Sequence, residues 1–341
     1  MKRLIIRKPG NIEIQENTEG LVIKPGFVKV KISACGVCGS DISIFQGKRE
    51  VEQYFGHEFT GVVTEVGSGV IGLEPGMRVA SGLIKTCGRC WNCRNGHPNY
   101  CRSMDDILIP GGFATETIVE HSNDLQFLTE LPKTLDDITG TLNEPASCAL
   151  RIVNQADMKC GQSVLIIGLG AMGAISSVFL RNFGAGVIVC MDLNVNRLKS
   201  LKVLGFEHLI NRKDENWAQQ IKEVVGPNGV DLVIETTGTP NALRDAFIVA
   251  RTGARIVVGS VYHEHANNFD LLPIMRKELT VIGAKGPFPY QTTRDSSTTI
   301  ELLTSLQAQF KKLTKVYDYK EVNQAFREAS EGYCVKAIVR F

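Results

Sequence analysis

The sequence predicts an α/β protein of two domains, and three observations predict it. The first 150 or so residues consist of short, β-branched, glycine-punctuated runs. After that point apolar strand-like runs alternate with helix-period segments at the spacing of a doubly wound parallel sheet. A Gly-x-Gly-x-x-Gly turn, Gly168 to Gly173, stands where the first of those runs gives way to the first of those helices. The length of 341 residues is enough for two domains with sizeable cores.

In the first domain, Phe27–Ser33 alternates apolar and polar residues, Thr60–Val66 is a second β-branched run ending at Gly67, and a Pro75-Gly76 turn leads into Arg78-Val79-Ala80. These read as short antiparallel strands with functional loops between them. In the second domain, strands are expected to begin near Ser163, Val187, His208, Asp231, Arg255 and Thr280. Helices are expected over Met172–Phe183, Asn194–Leu204, Glu215–Val225 and Pro240–Arg251. In the tail, Thr298–Gln307 and Tyr319–Ser330 read as helices and Val335–Phe341 as a strand that returns to the first domain. The expected domains are residues 1–148 with 286–341, and 149–285.

Composition excludes several classes. The formal net charge is +2, with 43% hydrophobic and 22% charged residues, the profile of a globular chain. Such a balance does not suit a protein that neutralises phosphates, so no nucleic-acid partner is expected. The apolar part of Met1–Pro9 is too short for a signal peptide. The uncharged stretch Cys160–Leu180 is interrupted by four glycines and divides into a strand and a helix, so no membrane span is expected. The expected location is the cytoplasm, where ten cysteines serve as thiols, metal ligands or core residues rather than disulfides.

Val164-Leu165-Ile166-Ile167 is a buried-strand run that leads straight into the glycine turn. Gly168 permits the tight turn, Gly170 lets backbone approach a pyrophosphate, and Gly173 lets helix and strand pack closely; Met172 lies between them. The helix N-terminus adds unpaired N–H groups and partial positive charge. The next strand ends in Asp192, where a carboxylate binds the ribose hydroxyls of NAD and repels the 2′-phosphate of NADP. NAD is therefore expected over NADP. Arg197 and Lys199 follow on the next helix, expected to point along it, and Arg197 is counted with the cofactor contacts.

Cys87, Cys90, Cys93 and Cys101 place four thiols within fifteen residues. A tetrahedral Zn²⁺ needs four soft ligands, and such short spacings let one loop wrap the ion, with Gly88, Gly96 and Pro98 supplying turns. With no coordination position left open, the site is expected to be structural; an iron–sulfur cluster is the smaller alternative. Three further segments carry metal-ligating side chains: Cys35-Gly36-Val37-Cys38-Gly39-Ser40-Asp41, Gly56-His57-Glu58, and Asn143-Glu144-Pro145.

In this order, the segments, the cysteine lobe and the glycine turn resemble the zinc-containing medium-chain dehydrogenases of the alcohol, sorbitol and threonine dehydrogenase type, over essentially the whole chain. The resemblance implies a GroES-like β-rich catalytic domain completed by the tail, a Rossmann domain, and an active site in the cleft between them. It implies a catalytic zinc held by Cys38 and His57, with Glu58 as a ligand or near-ligand and Glu144 in the third protein-ligand position. A Glu there, rather than Cys, points to the polyol side of the superfamily, and Cys35 becomes a core thiol. Asp41 would accept the other ring N–H of His57. Ser40 would take the substrate proton. Ser43 stands where many relatives have a relay histidine, so the onward proton route departs from theirs. Lys336 falls where the family often places a cation near the pyrophosphate.

The implied activity is hydride transfer between a secondary alcohol (a polyol, sugar, aminocyclitol or similar) and NAD, with two zincs per chain and zinc stabilising the alkoxide. One alternative is an NADP-dependent carbonyl reductase; another is a non-catalytic dinucleotide or redox sensor. The polar segment with Gln46, Lys48, Arg49 and Glu50 suits a hydroxyl-rich or charged substrate. A homodimer or homotetramer is expected, with the strand near Val281 pairing across a two-fold axis.

Overall fold

The computed structural model describes residues 1–16, 20–50, 55–82, 87, 89–103, 111–121, 127–262, 264–266, 268–286 and 292–341, with 292–296 described by backbone alone. The chain forms two compact units, Met1–Ser147 with Pro287–Phe341, and Cys148–Gly286.

The first unit begins with a hairpin of β1 (Lys2–Lys8) and β2 (Asn11–Glu16), followed by β3 (Phe27–Gly36), the short helix α1 (Gly39–Phe45), β4 (Glu58–Val66) and β5 (Arg78–Ser81). Helix α2 (Trp91–Arg94) lies in the cysteine segment; β6 (Glu116–Glu120), β7 (Leu128–Glu130) and α3 (Asp137–Gly140) follow, and α4 (Asn143–Ala156) leads out of the unit.

The second unit is six strands alternating with helices: β8 (Ser163–Ile167), α5 (Ala171–Asn182), β9 (Val187–Asp192), α6 (Val195–Val203), β10 (His208–Asn211), α7 (Trp217–Val225), β11 (Val230–Glu235), α8 (Pro240–Val249), β12 (Ala250–Val258), α9 (Leu272–Arg276) and β13 (Thr280–Gly283). All pairings are parallel, in the order β10-β9-β8-β11-β12-β13. The order reverses between β8 and β11, and in such sheets ligands bind outside the carboxyl ends of the strands at that point. The central strands β8 and β11 are near-continuous apolar runs because helices cover both faces; Val164, Leu165, Ile166, Val233 and Ile234 are fully buried.

The chain then returns to the first unit through α10 (Thr292–Ser305), α11 (Gln307–Lys311), β14 (Thr314–Asp318), α12 (Val322–Glu331) and β15 (Lys336–Arg340). β15 pairs antiparallel with β3 and parallel with β14, extending the sheet to the order β14-β15-β3-β4-β5-β7, with β6 also paired to β3. Phe326 of α12 packs its ring, tilted, 5.3 Å from that of Phe45 and 5.4 Å from that of Phe113, so the tail is part of this unit's core.

Several elements differ from the sequence reading. Residues 39–45 form a helix where a loop was expected, because Cys38 and Asp41 make a reciprocal capping box. α4 was not anticipated, nor was β14, whose exposed residues hide its strand pattern. Residues Tyr319–Glu321 form a 3-10 turn capped by Asp318, so the last helix starts later than expected and ends at Gly332 in the left-handed region, φ 74°.

Candidate active site and dinucleotide crevice

Strand register assembles the first cluster. β3 and β4 pair with Gly36 opposite Glu58, and β15 and β3 pair with Ile338 opposite Gly36. Cys38 lies two residues beyond Gly36 and Lys336 two residues before Ile338, so three strands deliver Cys38, His57, Glu58 and Lys336 to one edge. Gly36 leaves the needed room: a Cβ there would lie 2.5 Å from Glu58 Oε2 and 3.0 Å from Lys336 Cε. Donor atoms of Cys38, His57 and Glu58 all fall within 4.8 Å of one another, and His57 and Glu58 are buried. Glu144, in the first turn of α4, is also buried and acts on His57 and Lys336 through its charge; it does not fall in that close group.

The electrostatics are those of a cation site. Burial alone would lower the basicity of His57, yet the adjacent Cys38, Asp41 and Glu144 raise it well above its ordinary value. Burial raises the Asp41 carboxyl. Three carboxyl groups, Asp41, Glu58 and Glu144, and the Cys38 thiol thus face one lysine and one imidazole. A cysteine sulfur, an imidazole and a carboxylate are donors that suit Zn²⁺.

Two expectations change here. Asp41 faces His57, but its Oδ2 accepts the Cys38 N–H at 2.9 Å, so it fixes the Cys38 turn rather than the ring. Lys336 is not poised as an exposed phosphate-binding cation: it is 3% exposed, its Nζ is ion-paired with Glu58, and it donates to Val37 O at 2.9 Å. Gly36 on the intervening β3 has no side chain, so Lys336 reaches across it to Glu58. Ser40 is half-buried in the first turn of α1. Cys35 is fully buried in the apolar core, and burial pushes its thiol well up.

Sequence reasoning missed Ser81. Its Oγ donates to His57 O at 2.5 Å and accepts from Phe59 N at 2.8 Å, while its carbonyl accepts from Asn143 Nδ2 at 3.1 Å. One serine thereby ties the His57 turn to the start of the helix that carries Glu144. A serine at a strand end gives no local signal of that role.

The four sulfurs of Cys87, Cys90, Cys93 and Cys101 also lie within 4.8 Å of one another. Backbone N–H groups point at them: Cys90 N to Cys87 Sγ at 3.3 Å, and Cys87 N to Cys101 Sγ at 3.2 Å. Hydrogen bonds from backbone amides bring the Cys90 thiol down to about 6, which favours the ligating thiolate. Gly96 adopts φ 78° in this loop; Gly88 lies outside the described residues.

In the second unit, Gly168 has φ 91° and Gly173 packs so closely that a Cβ would lie 1.8 Å from Gly168 O. Gly170 is the N-cap of α5 with no side-chain cap, and nothing lies within 4 Å of a Cβ built there. Met172 is the second residue of that helix. The helix end is open to an anion, as a pyrophosphate requires. Asp192 ends β9 and is 7% exposed; its Oδ2 accepts from Leu169 N at 2.6 Å and its Oδ1 from Asn194 N at 2.7 Å. Arg197 does not point along its helix as expected. It turns back, with Nη1 3.6 Å from Asp192 Oδ2, drawn by the charge of that carboxylate.

A doubly wound nucleotide-binding unit joined to a β-rich unit with two metal-ligating clusters defines a zinc- and nicotinamide-dependent oxidoreductase acting on CH–OH groups. Residues 24–133 match the alcohol dehydrogenase GroES-like domain, and residues 171–305 the zinc-binding dehydrogenase family. The chain is 30% identical to a sorbitol dehydrogenase of Bacillus subtilis, over 92% of this chain and 89% of that enzyme. It is 33% identical to a probable D-xylulose reductase A of Aspergillus terreus, over 92% and 91% of the two chains. A solved alcohol dehydrogenase from Escherichia coli CFT073, in complex with NADH, superposes with a TM-score of 0.86 at 25% identity, over 100% of this chain and 99% of that one. The protein belongs to the zinc-type medium-chain dehydrogenase superfamily, on its polyol-dehydrogenase branch. It is an oxidoreductase of polyols or related secondary alcohols.

Proposed function

We propose that the protein oxidises a secondary hydroxyl of a polyol, sugar or aminocyclitol with NAD, using one catalytic and one structural zinc per chain. The close group of Cys38, His57 and Glu58 carries this reading, because a thiol, an imidazole and a carboxylate with donor atoms within 4.8 Å of one another match a zinc ligand set. Cys38 and His57 hold the catalytic ion, with Glu58 or Glu144 as the carboxylate ligand; Cys87, Cys90, Cys93 and Cys101 hold the structural one. When bound, zinc acts as a Lewis acid toward the substrate oxygen. Ser40 takes the substrate proton. Asp41 keeps the Cys38 turn in place through the Cys38 N–H. Gly168, Gly170, Met172 and Gly173 line the pyrophosphate position, and Asp192 with Arg197 takes the adenosine ribose.

A polar substrate is supported by the exposed run Gln46, Lys48, Arg49 and Glu50 just after α1. A second reading, use of NADP by a carbonyl reductase, draws support from Arg197, whose guanidinium offsets Asp192 and offers a 2′-phosphate a partner. The protein is inferred to be a homodimer or homotetramer: among the described residues β13, with Val281 38% exposed, pairs on one side only, which suits pairing with a second copy. Among the described residues no helix is long and apolar enough to cross a membrane. None of the ten cysteines is in a disulfide, and thiols of this kind suit the cytoplasmic setting inferred for the protein.

The test is reduction of NAD and of NADP by zinc-loaded protein across polyols, sugars, sugar phosphates, aminocyclitols, threonine and simple alcohols. Metal is counted in the wild type, Cys38→Ser and Cys90→Ser. Turnover with NAD that is lost in Cys38→Ser, together with two zincs falling to one in each variant, is the expected result. A single zinc in the wild type with no turnover would favour the sensor reading.

A further inference from the structure

The carboxylate of Glu235 sits at the carboxyl end of β11, next to the point where the strand order reverses, and it is fully buried. Five donors converge on it. Oε1 accepts from Thr237 N and Thr237 Oγ1, both at 2.5 Å, and from Gly238 N at 3.2 Å. Oε2 accepts from the Tyr262 hydroxyl at 2.6 Å and from Ser260 Oγ at 3.2 Å. The Thr237 hydroxyl in turn accepts from Thr239 N at 3.2 Å, which leaves its proton for Glu235. Burial, then the hydrogen bond and charge of Glu235, push the Tyr262 phenol up, so it stays a donor.

The donors come from two different loops, residues 236–239 after β11 and residues 260–262 after β12. Those loops touch backbone to backbone: Gly238, at φ 73°, would place a Cβ 2.3 Å from Val261 O. The first loop also reaches the glycine turn, where Thr236 Oγ1 donates to Gly168 O at 2.8 Å and a Cβ on Gly168 would lie 2.7 Å from Thr237 Cγ2. One anion therefore links the loops after β11 and β12, and one of these abuts the turn after β8. All three rim the crevice outside the strand ends. A doubly wound dinucleotide domain divides its ligand between two halves. The turn after β8 and Asp192 after β9 serve the adenosine half, so the loops after β11 and β12 flank the other.

We infer that Glu235 is a positioning residue for the nicotinamide half of the cofactor, holding loops 236–239 and 260–262 in the arrangement that receives it. The inference rests on the dinucleotide reading of the second unit. It does not require Glu235 to touch the cofactor.

The experiment titrates NADH by fluorescence and ADP-ribose by calorimetry against the wild type, Glu235→Gln and Tyr262→Phe. Glu235→Gln keeps the shape, loses the charge and turns an amide NH₂ toward groups that donate. NADH affinity is expected to fall about tenfold, the scale of one or two lost charge-assisted hydrogen bonds, with ADP-ribose affinity changed less than about twofold. Tyr262→Phe is expected to weaken NADH several-fold with the same selectivity, and it serves as the test if Glu235→Gln does not fold. Equal losses for NADH and ADP-ribose would reduce Glu235 to a structural residue, and unchanged NADH affinity in both variants would overturn the inference. A wild type that binds neither ligand would instead overturn the dinucleotide reading beneath it.

Discussion

Lys336 and Glu58 form an ion pair closed off from solvent, with side chains 3% and 1% exposed, although 277 residues lie between them in the chain. Burial opposes the charge of Lys336, yet Glu58 and then Cys38 lift its pKa above the ordinary value. The pair brings a cation to the edge of the Cys38, His57 and Glu58 cluster, where it would compete with a bound metal for Glu58. Removing one member strands the other charge in a site with little water, which costs about 3–5 kcal/mol, whereas removing both costs less.

Lys336→Met is therefore expected to lower stability by several kcal/mol, and the Lys336→Met/Glu58→Gln double variant to recover much of it. Added zinc should shrink the penalty of Lys336→Met, since the ion offers Glu58 another partner. Urea unfolding of the wild type, Lys336→Met, Glu58→Gln and the double variant, with and without zinc, measures both effects. Additive single-variant losses would mean that the two groups are not coupled.

Ser43 is turned away from proton traffic. Its Oγ donates to Gly39 O at 3.0 Å, one turn back along α1, so its proton is already committed. Ser43→Ala is expected to change kcat by less than about twofold across the neutral pH range. A loss of about tenfold, or a shifted pH profile, would place the hydroxyl on the proton path instead.

Gly173→Ala tests the glycine turn by contact rather than by motif. The added methyl would overlap Gly168 O at 1.8 Å and crowd Thr236 Oγ1 at 2.9 Å, and the first of these belongs to the backbone and cannot swing aside. Overpacking of this kind costs about 1–3 kcal/mol or more and moves the very turn that meets the pyrophosphate. NADH affinity should fall at least about tenfold while the zinc content stays at the wild-type value. Loss of zinc with cofactor affinity intact would contradict the division of labour between the units.

What the sequence disclosed depended on how local the physics is. The glycine turn, its strand and its helix occupy about twenty consecutive residues, and Cys87 to Cys101 are one loop, so their chemistry is written at short range. The alternating second unit was legible because periodicity is also local. Lys336, by contrast, owes its role to a register that pairs β15 with β3 and β3 with β4, and no local pattern encodes such a meeting. The turn of Arg197 back to Asp192 is a rotamer choice set by a neighbouring charge. Ser81 and Glu235 look like ordinary strand ends until their partners arrive from other loops.

Glu328 on α12 provides a pH test of the returning tail. It accepts from Lys315 Nζ at 2.5 Å and Tyr317 Oη at 2.6 Å, both on β14, and from Gln324 Nε2 at 2.8 Å. Lys315 first, then Tyr317 and Gln324, hold its carboxyl down to about 2. An unfolded glutamate titrates near 4.3, about two units higher, so the folded state favours the ionised form. The stabilisation is full above the unfolded value and is lost as pH falls from about 4 toward 2. Glu328→Gln should thus melt below the wild type at neutral pH, by about 1–3 °C given solvent screening of the pair. The gap should close on acidification as the wild type gains the proton that the variant never needed. Melting curves of the two proteins between neutral pH and about pH 3 make the comparison. A gap that stayed constant through that range would mean that shape and hydrogen bonding at residue 328, and not its charge, fasten α12 to β14.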